Sequence, residues 1–376
     1  MSCHSRTGGK LFEGGLGLQT PYGVIYSANI TGDREHGLGD WSADDFWRLM
    51  SRGVGRHGEH IYAAMPYNYY TRIDRAESDA ILAYLKTVPG SDYRQPPNLL
   101  PIPMGFRPIL IGWNTLFLDD GRFRPDPAQD DAWNRGAKLV ESLGHCGACH
   151  TPLNLAGAPE GSRYLQGAVL NGWLAPDLTG NQRTGLGRWS AAEIAEYLKT
   201  GRNARSNAAG PMGEVVAYST SLMSDADLGA IATYLKSLPA SPDKPSSAPG
   251  EGAMRRGSAI YADACSACHL SGGRGQPGLF PPLPGSAVAQ QDDPAGLVRI
   301  ILGGARTGPT PERPSPLTMP SFAWKLSDEE AADVATYVRN SWNNRAPPVT
   351  ARQVEKARRA GRFVAPLAMP TEGDVR

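Results

Sequence analysis

Three stretches of the chain place apolar and polar residues in the same helical order. Each is opened by a capping residue and carries a tyrosine ten residues later. They start at Asp74, Ser224 and Ser327, and the tyrosines are Tyr84, Tyr234 and Tyr337, within Ala-Tyr-Leu, Thr-Tyr-Leu and Thr-Tyr-Val. The pattern predicts three equivalent amphipathic helices, each burying one face. Ser42 with Asp45, and Ser190 with Glu193, predict two more helix starts, because a hydroxyl followed three residues on by a carboxylate can satisfy the free amides of a first turn. Further helical segments are expected from Gly136 to Leu143 and from Gly257 to Tyr261.

The helices belong to a repeat. Residues 29–42 read NITGDREHGLGDWS, and residues 177–190, 148 positions later, read DLTGNQRTGLGRWS. Two segments so alike imply two copies of one domain. The third tyrosine-bearing helix marks another. The expected organisation is a first domain over 1–90, a Pro-rich connector over 91–131, a second domain over 132–239, the linker SPDKPSSAPGEG, a third domain over 253–344, and a tail over 345–376.

Composition modifies this picture in two ways. The 376 residues include 44 Gly and 32 Pro, high for a helical protein, so long irregular segments are expected between short helices. Lys plus Arg number 38 against 37 Asp plus Glu, a formal charge of +1, which gives no footprint for nucleic acid. The sequence has no apolar run long enough to span a bilayer. An apolar stretch from Phe106 through Trp113 to Leu118 is expected to form a contact surface toward a membrane, a partner subunit or a neighbouring domain.

The chemistry lies in the cysteines. Cys146-Gly147-Ala148-Cys149-His150 and Cys265-Ser266-Ala267-Cys268-His269 are two complete C-x-x-C-H strings, the attachment pattern of c-type haem. Two thiols add to the two porphyrin vinyl groups, and the adjacent histidine sits beneath the iron. A zinc site would want a second ligand pair at structural spacing, and a dithiol redox centre a βαβ setting; neither pattern is present. The fifth cysteine, Cys3, is followed by His4, the right-hand half of the same motif. His4 and His150 are 146 positions apart, close to the repeat offset.

One methionine per domain recurs at matching distance. Met65 follows His4 by 61 residues, Met212 follows His150 by 62, and Met319 follows His269 by 50. They are the expected sixth iron ligands, since a thioether favours a low-spin, high-potential electron carrier. Met50, Met223 and Met254 are expected to be packing residues, and His36, His57, His60 and His145 are given no role. A carbonyl of Pro281-Pro282-Leu283 is expected to accept the ring N–H of His269.

With these residues in view, the chain resembles the three-haem cytochrome c subunits of membrane-bound bacterial dehydrogenases of the alcohol and gluconate 2-dehydrogenase type. The resemblance rests on GGKLFEGGLGLQTPYGVIYSANIT, GWNTLFLDDG, GPMGEVVAYSTSLMSDADLGAIATYLKSLP and TMPSFAWKLSDEEAADVATYVRNSWNNR, and spans nearly the whole chain. It implies a mainly α fold of three tandem cytochrome c-like haem domains with long irregular loops. It implies covalent haem c at Cys3, at Cys146 with Cys149 and at Cys265 with Cys268. The implied iron ligands are His4 with Met65, His150 with Met212, and His269 with Met319. It also implies a non-catalytic, peripheral subunit on the periplasmic side of the cytoplasmic membrane. Such a subunit takes electrons from a catalytic partner holding PQQ, a flavin or molybdopterin and passes them to ubiquinone. A stand-alone periplasmic shuttle and a haem enzyme such as a peroxidase are the alternatives. The half-motif at Cys3, the missing helix ahead of it and the lack of an export signal lead to the expectation that the chain is N-terminally clipped, with the first attachment cysteine immediately before Met1 and three haems in the full-length protein.

Overall fold

A computed structural model describes residues 3–244 and 246–361. It is mainly helical, with three short antiparallel hairpins, and its apolar side chains gather into three separate cores.

The first core lies among residues 30–85. The hairpin β1 (Gly17–Thr20) and β2 (Gly23–Tyr26) precedes it. Helix α1 (Ala43–Arg52) starts at Ser42, whose hydroxyl accepts from the Asp45 amide while Asp45 accepts from the Ser42 amide. A short α2 (Tyr67–Tyr70) follows, then α3 (Arg75–Thr87), which starts at Asp74. Phe46, Met50, Ile73, Leu82 and Leu85 fill the space between α1 and α3. The connector does not hang free. Asn29 Nδ2 donates to the carbonyls of Ser91 and Tyr93, Val24 pairs with Leu99, and residues 109–117 form a helix, α4 (Ile109–Phe117).

The second core is built on α5 (Asp131–Lys138), which widens into a π turn at Leu139–Leu143. After it come α6 (Gly147–His150), the hairpin β3 (Ala168–Leu170) and β4 (Trp173–Ala175), α7 (Ala191–Thr200), α8 (Pro211–Tyr218) and α9 (Asp225–Ser237). The third contains α10 (Glu251–Ala264), α11 (Ser266–His269), α12 (Ala287–Gln290) and α13 (Ala295–Gly303). The two-residue strands β5 (Ala305–Arg306) and β6 (Thr318–Met319), then α14 (Asp328–Asn340) and α15 (Ala351–Ala360), complete it. Helix α10 starts two residues earlier than the linker reading allows. Gly250 is extended and frees the first turn, and Glu251 there suits the positive end of the helix.

Two glycines set how these helices cross. A Cβ on Gly136 would stand 2.0 Å from the Ala230 carbonyl oxygen, and one on Gly257 would stand 2.2 Å from that of Asp333. So α5 lies directly on α9, and α10 on α14, backbone against backbone. Aromatic edges close each crossing: Trp133 on Tyr234 at 5.1 Å, and Tyr261 on Tyr337 at 5.5 Å. The tyrosine-bearing face of α3 has no such partner among the described residues, and Tyr84 is 61% exposed where Tyr234 is 4%.

The cores are tied together by polar contacts. Lys138 pairs with Glu77 at 2.9 Å and Arg72 with Glu141 at 2.8 Å, joining the first to the second. Arg183 donates to the Gln290 carbonyl at 2.6 Å and pairs with Asp292 at 3.2 Å, joining the second to the third. Arg339, fully buried, donates to the carbonyls of Pro347, Ala289, Gln291 and Asp292, and thereby holds the C-terminal end of α12 and the tail against α14.

Candidate haem sites

Both complete motifs fold into the same helical turn. The His150 amide donates to the Cys146 carbonyl at 3.0 Å, and the His269 amide to that of Cys265 at 3.0 Å. In a helical turn, residues four apart share a face, so the first cysteine and the histidine lie on one side. Among the described residues no two cysteines are joined in a disulfide. Burial pushes the Cys146 thiol up to about 12 and the Cys265 thiol up to about 11. A dithiol oxidoreductase needs the opposite, a thiol lowered toward neutrality. Among the described residues no His, Cys, Asp and Glu cluster is set to hold a bare metal ion.

The three motif histidines share one further feature. His4 Nδ1 is 2.8 Å from the Ala28 carbonyl, His150 Nδ1 is 2.7 Å from that of Pro176, and His269 Nδ1 is 3.1 Å from that of Pro281. A carbonyl only accepts, so each Nδ1 carries the proton and each Nε2 presents its lone pair. This tautomer is the one an iron-ligating histidine requires. Burial also holds all three rings below the usual histidine pKa, and so neutral, against the raising effect of the carbonyl. Ala28 and Pro176 are 148 positions apart, the offset of the sequence repeat, and each follows its β-hairpin. The acceptor in the third motif is within the tripeptide named from sequence. The first two lie 24 and 26 residues from their histidines and were not named from sequence.

The repeated segments brace these carbonyls. Asn29 Oδ1 accepts from the Thr31 amide at 3.0 Å, and Asp177 Oδ1 accepts from the Thr179 amide at 2.7 Å. These side chains are buried and fix the backbone directly after Ala28 and Pro176.

The methionines occupy three different local structures. Met65 packs on the first core, just before Pro66 and α2. Met212 lies in the first turn of α8, after Pro211 at its first position. Met319 is in β6, paired with Ala305. All three are half-buried. Met50 is buried in the first core and Met223 packs on the second, as fillers do. Around the third motif, Leu270, Leu279, Phe280 and Trp324 are exposed, an apolar surface of the kind a porphyrin face covers. The donor set, the tautomer and this apolar lining fit haem c.

Cys3 and Cys149 are close enough that the Cys3 thiol, after burial, helps raise the Cys149 thiol. Nearby, Tyr70 packs edge-on against His145 at 5.5 Å, a contact between the first and second cores.

A family model for cytochrome c matches residues 133–239 and 254–342. The chain belongs to the cytochrome c family. Its curated relatives include the cytochrome c subunit of gluconate 2-dehydrogenase from Pantoea cypripedii, 38% identical over 96% of this chain and 86% of the relative. The cytochrome c subunit of quinone alcohol dehydrogenase from Gluconobacter oxydans is 37% identical over 96% of this chain and 80% of its own length. The fructose dehydrogenase cytochrome subunit of Gluconobacter japonicus is 36% identical over 98% and 81%. As a cytochrome c, this chain is an electron-transfer protein of the haem c class, with a mainly helical fold.

Proposed function

We propose that the chain is the haem-carrying subunit of a dehydrogenase complex, relaying electrons from a catalytic partner through haems held in three domains, over 1–90, 132–239 and 253–344, and onward to ubiquinone at the periplasmic face of a membrane. The observation that carries the haem assignment is the thrice-repeated histidine with Nδ1 bonded to a backbone carbonyl. The relatives named as dehydrogenase cytochrome subunits support the partnership.

In this reading, Cys146 with Cys149 and Cys265 with Cys268 hold the porphyrins covalently, and Cys3 holds the first. His4, His150 and His269, with Met65, Met212 and Met319, are the side chains that would ligate the irons. The bound iron supplies a reversible one-electron couple. The protein's part is to fix each imidazole in one tautomer and orientation, through Ala28, Pro176 and Pro281, and to shield the site from water with the three cores. A methionine donor in each domain, Met65, Met212 and Met319, favours the carrier reading over a peroxidase, which would need an open ligand position.

The docking face for the membrane is α4 with the segment before it. Ile102, Phe106, Ile109, Ile111, Leu116 and Phe117 are exposed there, while Trp113 and Asn114 anchor the helix inward through Ala156 and Tyr67. The charged residue of this stretch, Arg107, is turned back onto His60 and Tyr62. No described helix is long and apolar enough to cross a membrane, so the attachment proposed is peripheral.

The test is isolation of the exported protein from its native membranes. A large dehydrogenase subunit in fixed ratio, whose substrate reduces the haems anaerobically, is the expected result. A chain that purifies alone from solubilised membranes, and whose haems no dehydrogenase substrate reduces, overturns the proposal and favours a free shuttle.

A further inference from the structure

One position of the repeat carries an amide in the first domain and an acid in the second. Asn29 and Asp177 are 148 residues apart, and each directly follows the residue whose carbonyl accepts from a motif histidine, Ala28 or Pro176. In the third motif the residue after the acceptor Pro281 is Pro282, which carries no charge. Of the three matched side chains, only that of Asp177 can be ionised.

Asn29 and Asp177 are both buried, at 3% and 2% exposure. The surroundings of the outer atom select each one. Asn29 Nδ2 donates to the carbonyls of Ser91 and Tyr93 at 2.7 and 3.1 Å, where a carboxylate would face two acceptors. Asp177 Oδ2 instead accepts from the hydroxyls of Thr184, at 3.2 Å, and of Ser241, while Oδ1 accepts from the Thr179 amide at 2.7 Å. Three donors thus face this group, as an acceptor-only carboxylate requires. Among the described residues it forms no ion pair. Arg183, in the same repeated segment, is engaged by Asp243 and Asp292.

A negative charge buried without a cation is costly, and its field is little screened. Here it lies one residue from the carbonyl that fixes the His150 ring. Burial opposes positive charge on that ring, and the Pro176 carbonyl and then Asp177 favour it.

We propose that Asp177 sets the potential of the second haem: its buried carboxylate favours the ferric over the ferrous state of the iron ligated by His150, and so holds that haem below the potential the same domain would have with an asparagine in this place. This rests on the haem reading. Asp177 acts through its field and through the Pro176–His150 bond, not as a ligand. Two copies of one fold are thereby offset in potential by a single side chain.

The experiment is a potentiometric titration of the full holoprotein, comparing wild type with Asp177→Asn. The wave of the second haem is the one missing from the Cys146→Ala, Cys149→Ala double variant. In Asp177→Asn, Oδ1 still accepts from the Thr179 amide, and the hydroxyls of Thr184 and Ser241 turn to accept from the new Nδ2. The reduction equilibrium constant of the second haem is expected to rise about tenfold, or about 59 mV for one electron, with the other waves in place. Asp243→Asn is the control. It removes a carboxylate 62% exposed and already paired with Arg183, and should move no wave. An unmoved or lowered second wave in folded Asp177→Asn protein overturns the proposal and leaves Asp177 as a brace of the loop. An equal shift in Asp243→Asn, or in every wave, overturns it too. Should Asp177→Asn fail to fold, Asp177→Ser, smaller and still able to accept from the Thr179 amide, decides by the same wave. Wild-type protein without covalent haem at Cys146 and Cys149 would fail the haem reading itself, before any variant is compared.

Discussion

Replacing Gly136 by alanine tests how the second domain is packed. The new Cβ would stand 2.0 Å from the Ala230 carbonyl oxygen and 2.5 Å from its carbon. Both are backbone atoms of a helix and cannot rotate aside. Ordinary contact begins near 3.4 Å, so α5 and α9 must part by more than an ångström. Forced separation in a packed core costs about 1–3 kcal/mol. The Trp133–Tyr234 edge contact at 5.1 Å is weakened with it, adding about 0.5–1 kcal/mol. Against this, alanine is favoured over glycine inside a helix by about 1 kcal/mol. The net expectation is a loss of about 0.5–3 kcal/mol, or roughly 10 °C in melting temperature for a domain of this size. Gly229→Ala in α9 is the control, because its Cβ meets nothing within 4 Å, and it should be neutral or stabilising. Far-UV circular dichroism melts of the holoprotein measure both. A Gly136→Ala protein that melts with or above the wild type would refute the backbone-on-backbone crossing.

Met319→Ala should open the iron of the third domain, seen as binding of added cyanide or imidazole and a fall in that haem's potential; an unchanged potential with no ligand uptake assigns the sixth ligand elsewhere. Leu116→Asp, at a side chain 75% exposed, should leave the melting temperature unchanged while weakening recovery of the protein with membrane vesicles, and equal recovery removes α4 as the docking face. The ion pair of Asp227 with Arg135, at 2.7 Å between α9 and α5, holds the Asp227 carboxyl below its ordinary pKa even though burial pulls the other way. A carboxyl depressed in the folded state adds stability above its unfolded pKa and loses it as pH falls through the folded one. Asp227→Asn should therefore melt lower than wild type at pH 7 by roughly 0.5 kcal/mol after solvent screening, with the gap closing below about pH 4 in acid titrations.

Much of this was legible in the sequence, for identifiable reasons. The helix starts at Ser42, Asp74, Ser190, Ser224 and Ser327 are visible because capping is a local event, decided within four residues. The Pro281 carbonyl was within reach of inference because it lies twelve residues from His269. The Pro-rich connector was read as carrying an apolar contact surface with no element assigned, and it contains α4, anchored from elsewhere by Asn114 to Tyr67 and Trp113 to Ala156. Tyr84 matches Tyr234 and Tyr337 in register but not in burial, because burial is set by the partner helix and not by the helix's own pattern. Arg202 carried no signal at all. It is one basic residue in a Gly- and Asn-rich loop, and only the fold brings it to the Ser315 carbonyl of a distant loop.

The central claim is that the C-x-x-C-H turns hold haem c. Intact-mass and peptide mass spectrometry of the exported protein, after denaturation, tests it most directly. The account predicts haem adducts on the peptides containing Cys146 with Cys149 and Cys265 with Cys268, each retained in denaturant because thioether bonds do not depend on the fold. Unmodified thiols or a disulfide at both pairs, in protein exported by a cell that matures c-type cytochromes, would contradict it.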